Sequence, residues 1–318
     1  MRYARQEMLA EIGKEGQNQL RKKTVCIVGV GALGSVSAEL LCRAGIGKLI
    51  LIDHDAVDIT NLQRQSLYDD ADVGKLKIDA AEKKLEAINK DVAIEKIKTF
   101  LSAETIKTLP RCDILLDCTD NFPTRFLIND YCLKNKLPWI YASAVGVSGM
   151  ICVIHQDACF NCIFENKISY DDCESYGVLN TVTFAVSALQ VTQALKLLLK
   201  KDYEKSLLVV NAWNATIEKI KVQKRKNCSA CDGNYQYLHH KKKYVMGFCK
   251  SKNSYFVELH EPVDVKAFLK RNPKVIKELG SMQLLKLDNT TFLLHDDGRM
   301  GFYVKDKENI EAILKIFK

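Results

Sequence analysis

Thr24-Val25-Cys26-Ile27-Val28-Gly29-Val30-Gly31-Ala32-Leu33-Gly34 is an apolar run that breaks into a glycine fingerprint. The Val- and Ile-rich part, residues 24–30, reads as a buried parallel strand. A helix over about residues 33–43 follows, closed by Ala44-Gly45. Residues 48–52 form a second strand that ends at Asp53, and Asp53 follows Gly34 by 19 residues. Strand, glycine loop, helix and a later acidic residue are together the context for nucleotide binding. The glycines let the backbone approach phosphate at the helix N-terminus. Asp53 can accept hydrogen bonds from ribose hydroxyls. To this point NAD and ATP fit equally well.

Outward from this stretch, strands and helices alternate. Residues 74–89 are predicted helical, 92–97 and 113–118 extended, 126–133 helical, and 139–144 and 150–155 extended. The alternation implies an α/β fold, a doubly wound and mainly parallel sheet of the Rossmann-like nucleotide-binding kind. Residues 157–182 are polar and weakly periodic and read as a long excursion. Residues 184–199 read as a well-buried helix, and 207–222 return to strand character. From about Tyr235 the chain reads as a small α+β unit. It has a hairpin signal at Asp297-Gly298 and a closing amphipathic helix through Ile310, Ile313, Leu314 and Phe317. The expected division is residues 1–233 and 234–318.

Of the 318 residues, 47% are apolar and 27% charged, as in a soluble globular protein. No uninterrupted apolar run approaches a membrane span of about 18 residues, and the N-terminus lacks an apolar signal core, so a cytoplasmic protein without a membrane partner is expected. The net charge of +8 is uneven: residues 234–318 hold 16 Lys and Arg against 10 Asp and Glu. A basic tail suits an acidic protein partner, with tRNA as the less favoured choice, or is simply a solvated surface.

The segment Asp53-His54-Asp55-Ala56-Val57-Asp58-Ile59-Thr60-Asn61-Leu62-Gln63-Arg64-Gln65 separates ATP from NAD. A hydride-transfer site has no evident need for Arg64, whereas a triphosphate does. Lys77 offers a second cation. Asp120, just past a strand's C-terminal end, suits magnesium held jointly with phosphate. Alone, Arg64 or Lys77 reads as surface charge and Asp120 as a helix cap. Together at strand ends they read as a site.

Arg2-Tyr3-Ala4-Arg5-Gln6, Gly29-Val30-Gly31-Ala32-Leu33-Gly34, Asn61-Leu62-Gln63-Arg64-Gln65, Gly74-Lys75-Leu76-Lys77 and Asp117-Cys118-Thr119-Asp120-Asn121 occur in that order. Over about residues 1–232 the chain resembles the MoeB/ThiF/HesA family, relatives of the ubiquitin-activating enzymes. The resemblance implies ATP and magnesium, and a homodimer in which Arg5 reaches the neighbouring subunit's ATP site. It implies that Asp53 holds ribose, that Asn61, Arg64 and Lys77 meet phosphates, and that Asp120 binds magnesium. Gly29, Gly31, Ala32, Gly34, Asp55, Thr60, Leu62, Gln63 and Asn121 complete the expected nucleotide site. Ala32 departs from the glycine of several relatives, with little consequence expected.

The chain has 12 cysteines, and those among apolar residues read as small buried hydrophobes. Cys159-Phe160-Asn161-Cys162 and Cys228-Ser229-Ala230-Cys231 are two C-x-x-C pairs, 65 residues apart. Four thiolates suit a structural zinc, although each pair alone could be a redox motif. Family members often clamp zinc at these places, so the resemblance assigns all four to zinc. Cys173 lies in the excursion, where the resemblance offers a covalent role with the activated acyl group. Its neighbours Asp171, Asp172 and Glu174 argue against a resting thiolate.

The expected enzyme is an adenylyltransferase for the C-terminal carboxylate of a ubiquitin-like or sulfur-carrier protein ending in Gly-Gly. Arg5, Arg64, Lys77 and Asp120 would be its catalytic groups, with Cys173 as the covalent candidate. A sulfur donor would then produce a thiocarboxylate, as in thiamine or molybdopterin biosynthesis. The chain ends without a Gly-Gly tail, and the surroundings of Cys249 do not suggest a sulfur-transfer loop, so an activator without a fused carrier or rhodanese-like domain is expected. Alternatives are adenylation of a small-molecule or tRNA-linked carboxylate, thioester formation for conjugation, an NAD-dependent oxidoreductase, and a catalytically silent scaffold.

Overall fold

A computed structural model describes residues 2–155, 157–164, 177–239, 243–249, 254–259, 261–278, 282–295 and 298–317. Helices α1 (Ala4–Glu7) and α2 (Gly13–Leu20) precede β1 (Thr24–Val28), α3 (Ala32–Ala44), β2 (Lys48–Asp53), α4 (Lys77–Ile88) and β3 (Ala93–Lys98). Then come β4 (Ile114–Asp117), α5 (Phe122–Asn135), β5 (Trp139–Val145), β6 (Ser148–Ile154), α6 (Phe160–Phe164), α7 (Asn180–Leu198), β7 (Leu207–Asn211) and β8 (Thr216–Ile220). Among the described residues these strands make one sheet in the order β3-β2-β1-β4-β5-β6-β7-β8. Pairing is parallel from β3 to β5 and antiparallel from β5 to β8.

The expected doubly wound α/β fold is present. Both faces of β1 are buried: Val25 and Ile27 belong to one apolar cluster, Cys26 and Val28 to another. A strand buried on both faces cannot alternate apolar with polar, which is why residues 24–30 read as one apolar run.

Several boundaries differ from the sequence reading. Helix α4 starts at Lys77, three residues late, because Gly74 is left-handed (φ 84°) and the chain there pairs with Val57. Helix α5 starts at Phe122, four residues early, because Asn121 caps it and Pro123 suits a first turn. Residues 207–222 are two strands joined by a turn. Helix α7 starts at Asn180 and is less enclosed than expected, with Phe184 exposed. It is long and apolar enough to cross a membrane. It packs instead on β5 and β6, and its buried Ser187 and Gln190 bond to backbone carbonyls of Leu33, Asp117 and Ile140.

The remaining strands form a second, antiparallel sheet. They are β9 (Tyr244–Cys249), β10 (Ser254–Leu259), β11 (Lys274–Glu278), β12 (Met282–Leu287), β13 (Thr290–His295) and β14 (Met300–Val304), ordered β11-β12-β13-β14-β10-β9. Helices α8 (Val265–Leu269) and α9 (Ile310–Leu314) supply Phe268 and Ile310 to one face, against Val257, Leu285, Phe292 and Phe302. β13 and β14 pair as a hairpin, with Leu294 opposite Met300; Asp297 lies outside the described residues. The closing helix tightens to a 3-10 turn at Lys315–Phe317. The stretch before this sheet belongs to the first core: the Tyr237 ring stacks on Phe126 with centroids 4.8 Å apart. Asp130 accepts the Tyr237 N–H at 2.8 Å.

Candidate active site

The strand order changes direction between β1 and β4, and ligands of such sheets lie at that point beyond the strands' C-terminal ends. Gly29 is left-handed (φ 85°), and a Cβ there would sit 2.8 Å from the Cys118 carbonyl oxygen. A Cβ on Gly34 would fall 1.9 Å from the Gly29 oxygen. Only glycine lets α3 start this close to β1 and β4. Among the described residues no side chain caps α3, so its first N–H groups are open to an anion. Gln65 is buried beside Gly31, and among the described residues its Oε1 has no hydrogen-bond partner. An unsatisfied buried oxygen next to an uncapped helix start fits a bound polar ligand.

Asp53 ends β2 in this crevice. Its Oδ2 accepts the Val30 N–H at 2.6 Å and its Oδ1 the Asp55 N–H at 2.8 Å, and each oxygen keeps a second lone pair. Burial pushes its carboxyl up, and the Lys77 charge opposes that. Lys77, the first residue of α4, is buried and donates to Asp55 Oδ2 at 2.7 Å. Asp55 therefore aims Lys77 and does not itself face a ligand freely. Asp53, His54 and Asp55 bring their ligand atoms within 4.8 Å of one another, but backbone N–H groups and Lys77 already serve these carboxylates.

The next turn is organised by Asp58. Its Oδ1 accepts both the Thr60 N–H (2.8 Å) and the Thr60 hydroxyl (2.6 Å). Asn61 Oδ1 accepts the Asp58 N–H at 3.2 Å, which leaves the Asn61 NH₂ to point elsewhere. Arg64 Nη1 donates to the Thr60 oxygen at 2.8 Å. Partial burial lowers the Arg64 pKa, and the charge on Asp120 opposes this, so both groups share one field. Two expected ligand residues have other duties: Leu62 packs on the core and the Thr60 hydroxyl is engaged by Asp58. Gln63 Nε2 lies 3.4 Å from the Val178 oxygen.

Asp120 lies three residues beyond β4 with its side chain 76% exposed. It is not the helix cap: Asn121 Oδ1 accepts the Thr124 N–H at 2.9 Å and performs that task. Asp120 Oδ1 instead accepts from Arg299 Nη1 at 2.8 Å. Arg299 holds the carboxyl well below the usual range, against the effect of desolvation. Behind it, burial pushes Asp117 up to about 6, opposed by Arg125 and by the Thr119 hydrogen bonds. Arg125 is buried; it donates to the Thr119 oxygen at 2.6 Å and lies 3.4 Å from Asp117 Oδ2. Gln65, Arg125 and Arg299 escaped the sequence reading. Gln65 stood inside a recognised motif, and Arg125 stands one helical turn past Asn121. Nothing local marks Arg299, which is 179 residues from Asp120.

Cys159, Cys162, Cys228 and Cys231 come together, with Sγ–Sγ separations of 3.4–3.7 Å among the closest pairs. Zinc–sulfur bonds of about 2.3 Å in a tetrahedron require edges of about 3.8 Å, so the cluster fits zinc. Burial pushes the Cys231 thiol up to about 12 and Cys159 further still, so a metal entering here must displace protons. Asn129 of α5 bonds both Asn161 Oδ1 (2.8 Å) and the Phe160 N–H (2.9 Å), anchoring the first pair. Cys173 lies outside the described residues. Arg5 is exposed on α1 and, among the described residues, makes no hydrogen bond or ion pair within its own chain.

A family model described as the ThiF family matches residues 3–230. The chain is 37% identical over 238 residues to the sulfur carrier protein ThiS adenylyltransferase of Bacillus subtilis (strain 168), which covers 72% of this chain and 71% of that one. It is 35% identical over 242 residues to the adenylyltransferase and sulfurtransferase MOCS3 of Culex quinquefasciatus, covering 73% of this chain. It spans 55%, about half, of that relative's length. The solved structure of E. coli MccB with MccA-N7isoASN superposes with a TM-score of 0.65 over 73% of this chain and 75% of that one, at 23% identity. At that identity the likeness concerns the fold.

Proposed function

The chain belongs to the ThiF family, and on that premise we propose that it is an ATP-dependent adenylyltransferase acting on the C-terminal carboxylate of a ubiquitin-like or sulfur-carrier protein. The observation that carries this is the convergence of the glycine cradle, Asp53, Lys77, Arg64 and Asp120 at one switch point. In this reading residues 1–233 form the adenylation domain and 234–318 an appended α+β domain of a cytoplasmic homodimer.

A carboxylate oxygen of the carrier's Gly-Gly terminus attacks the α-phosphorus of ATP. The new C–O–P bond forms as the bond from the α-phosphorus to the bridging oxygen breaks, and pyrophosphate leaves. Asp53 orients the ribose. The open N–H groups of α3 and the Asn61 amide meet phosphate oxygens, and Arg64 and Lys77 offset the growing negative charge. Magnesium bound at Asp120 would neutralise phosphate charge. Sulfide-level sulfur from a donor then attacks the acyl carbon, and the C–S bond forms as the C–O bond to AMP breaks, giving a thiocarboxylate and AMP. In a covalent route the Cys173 thiolate makes that attack first, releasing AMP and leaving a thioester that the sulfide cleaves.

Mass spectrometry of a candidate carrier after incubation with ATP should show AMP on its C-terminal glycine, with release of pyrophosphate. Cys173→Ser should leave that adenylate intact while removing any covalent enzyme–carrier adduct. AMP formed without the carrier, or on a different carboxylate, would count against this substrate.

Arg5 should act on the neighbouring subunit's nucleotide, since it is exposed and, among the described residues, has no partner in its own chain. Inactive Arg5→Ala and Asp120→Ala subunits, mixed after exchange, should recover about a quarter of wild-type activity, because each hybrid two-fold dimer has one intact site. No recovery despite demonstrated exchange would place Arg5 outside the site.

A further inference from the structure

The second sheet lies against the adenylation site. One of its faces presents Phe256, Leu284 and Leu293, and these cluster with Phe122, the first residue of α5. Gly301 on β14 makes this packing feasible: a Cβ there would lie 2.1 Å from the Phe256 ring. The apolar contact fixes the β13–β14 hairpin beside Asp120. The hairpin's backbone is braced, with the His295 N–H on the Arg299 oxygen (2.8 Å), the Gly298 N–H on the His295 oxygen (2.9 Å) and the Val263 N–H on the Gly298 oxygen (2.8 Å). From this support Arg299, its side chain only 20% exposed, reaches the much more exposed Asp120.

The two contacts on the Asp120 carboxylate fall on the same atom. Arg299 Nη1 lies 2.8 Å from Oδ1, and Asn121 Nδ2 lies 3.4 Å from Oδ1. Among the described residues Oδ2 takes no hydrogen bond. A carboxylate on an exposed loop end would otherwise rotate freely. Here one oxygen is held and the other left available. Magnesium usually takes a single carboxylate oxygen together with phosphates and water. Ligating carboxylates work best when an outer partner holds them.

We propose that Arg299, from outside the ThiF-matched region, is a positioning residue for magnesium–ATP: it pins Asp120 Oδ1 so that Oδ2 faces the metal. The second sheet is then part of the adenylation site and not a separate attachment. This rests on the reading of Asp120 as the magnesium carboxylate. The guanidinium also repels a metal on the same carboxylate, so the direction of the magnesium shift on removing Arg299 decides between orientation and competition.

The test is magnesium titration of ATP binding, followed by calorimetry on the full-length protein without carrier. Arg299→Ala should raise the magnesium concentration for half-maximal binding about 10-fold or more, with ATP affinity restored at saturating magnesium. Arg299→Lys should recover part of the loss, since one ammonium N–H can still reach Oδ1. The thermal midpoint of both variants should stay near wild type, because the Phe122–Phe256 contact is untouched. An unchanged or lowered magnesium midpoint in folded Arg299→Ala overturns the proposal, the lowered one identifying Arg299 as a competitor of the metal. Asp120→Asn separates the premise from the inference. If it too leaves the magnesium dependence unchanged, Asp120 is not the metal carboxylate. If it shifts the dependence and Arg299→Ala does not, only the role of Arg299 fails.

Discussion

Arg64→Ala and Asp120→Ala are each expected to cut carrier-dependent exchange of pyrophosphate into ATP by about 100- to 1000-fold, the usual loss when one group stabilising transition-state charge is removed. Both side chains are suited to a clean test. Arg64 makes one charged hydrogen bond, to the Thr60 oxygen, and is partly exposed. Asp120 is mostly exposed, and the helix cap is supplied by its neighbour Asn121. Asp120→Ala also removes the ion pair with Arg299, so the thermal midpoint is measured alongside, and a lost rate at an unchanged midpoint reports the site and not unfolding. Lys77 is a poorer probe: it is buried against Asp55, and its removal would strand that carboxylate. Full exchange activity in either variant, with folding verified, would remove the residue from the site.

Stripping zinc, or replacing Cys228 with serine, is expected to lower the thermal midpoint by roughly 10 °C. A loss of about 4 kcal/mol is in the upper range for a single change, and domains of this size shift by about 2–4 °C per kcal/mol. The reason is geometric. The four sulfurs converge from two segments far apart in sequence, and the cluster sits in the core beside Phe160 and Tyr237. Without the ion, three of the four thiols remain in the buried class and the two segments lose their crosslink. Elemental analysis should find about one zinc per chain. Retention should weaken as pH falls, since protons compete for the thiolates. A metal-free preparation with an unchanged midpoint would contradict this.

The proposed nucleotide site was readable where it is local: the glycines, Asp53 and Asp120 lie at or just past strand ends, and Arg64 and Lys77 stand in the connection that follows β2. Helix starts were less legible. Gly74 looked like part of a helix until its left-handed backbone delayed the first turn to Lys77. Asp120 and Asn121 are both capping residue types, and only the structure shows Asn121 taking that task for α5. Arg299 could not be found from sequence at all, because nothing in Gly298-Arg299-Met300 points to a carboxylate in another sheet.

The spacing of the cysteine pairs bears on how the chain reaches its native state. Sixty-five residues separate Cys162 from Cys228, and they include α7, β7 and β8. Closing so long a loop costs chain entropy before any reward. An ion that caught one pair early would wait, half-coordinated, until α7 had crossed the sheet and the β7–β8 hairpin had carried the second pair back. Metal capture is therefore expected late in folding, locking a sheet already formed, and a nascent chain is expected to be most open to thiol oxidation in the interval before it.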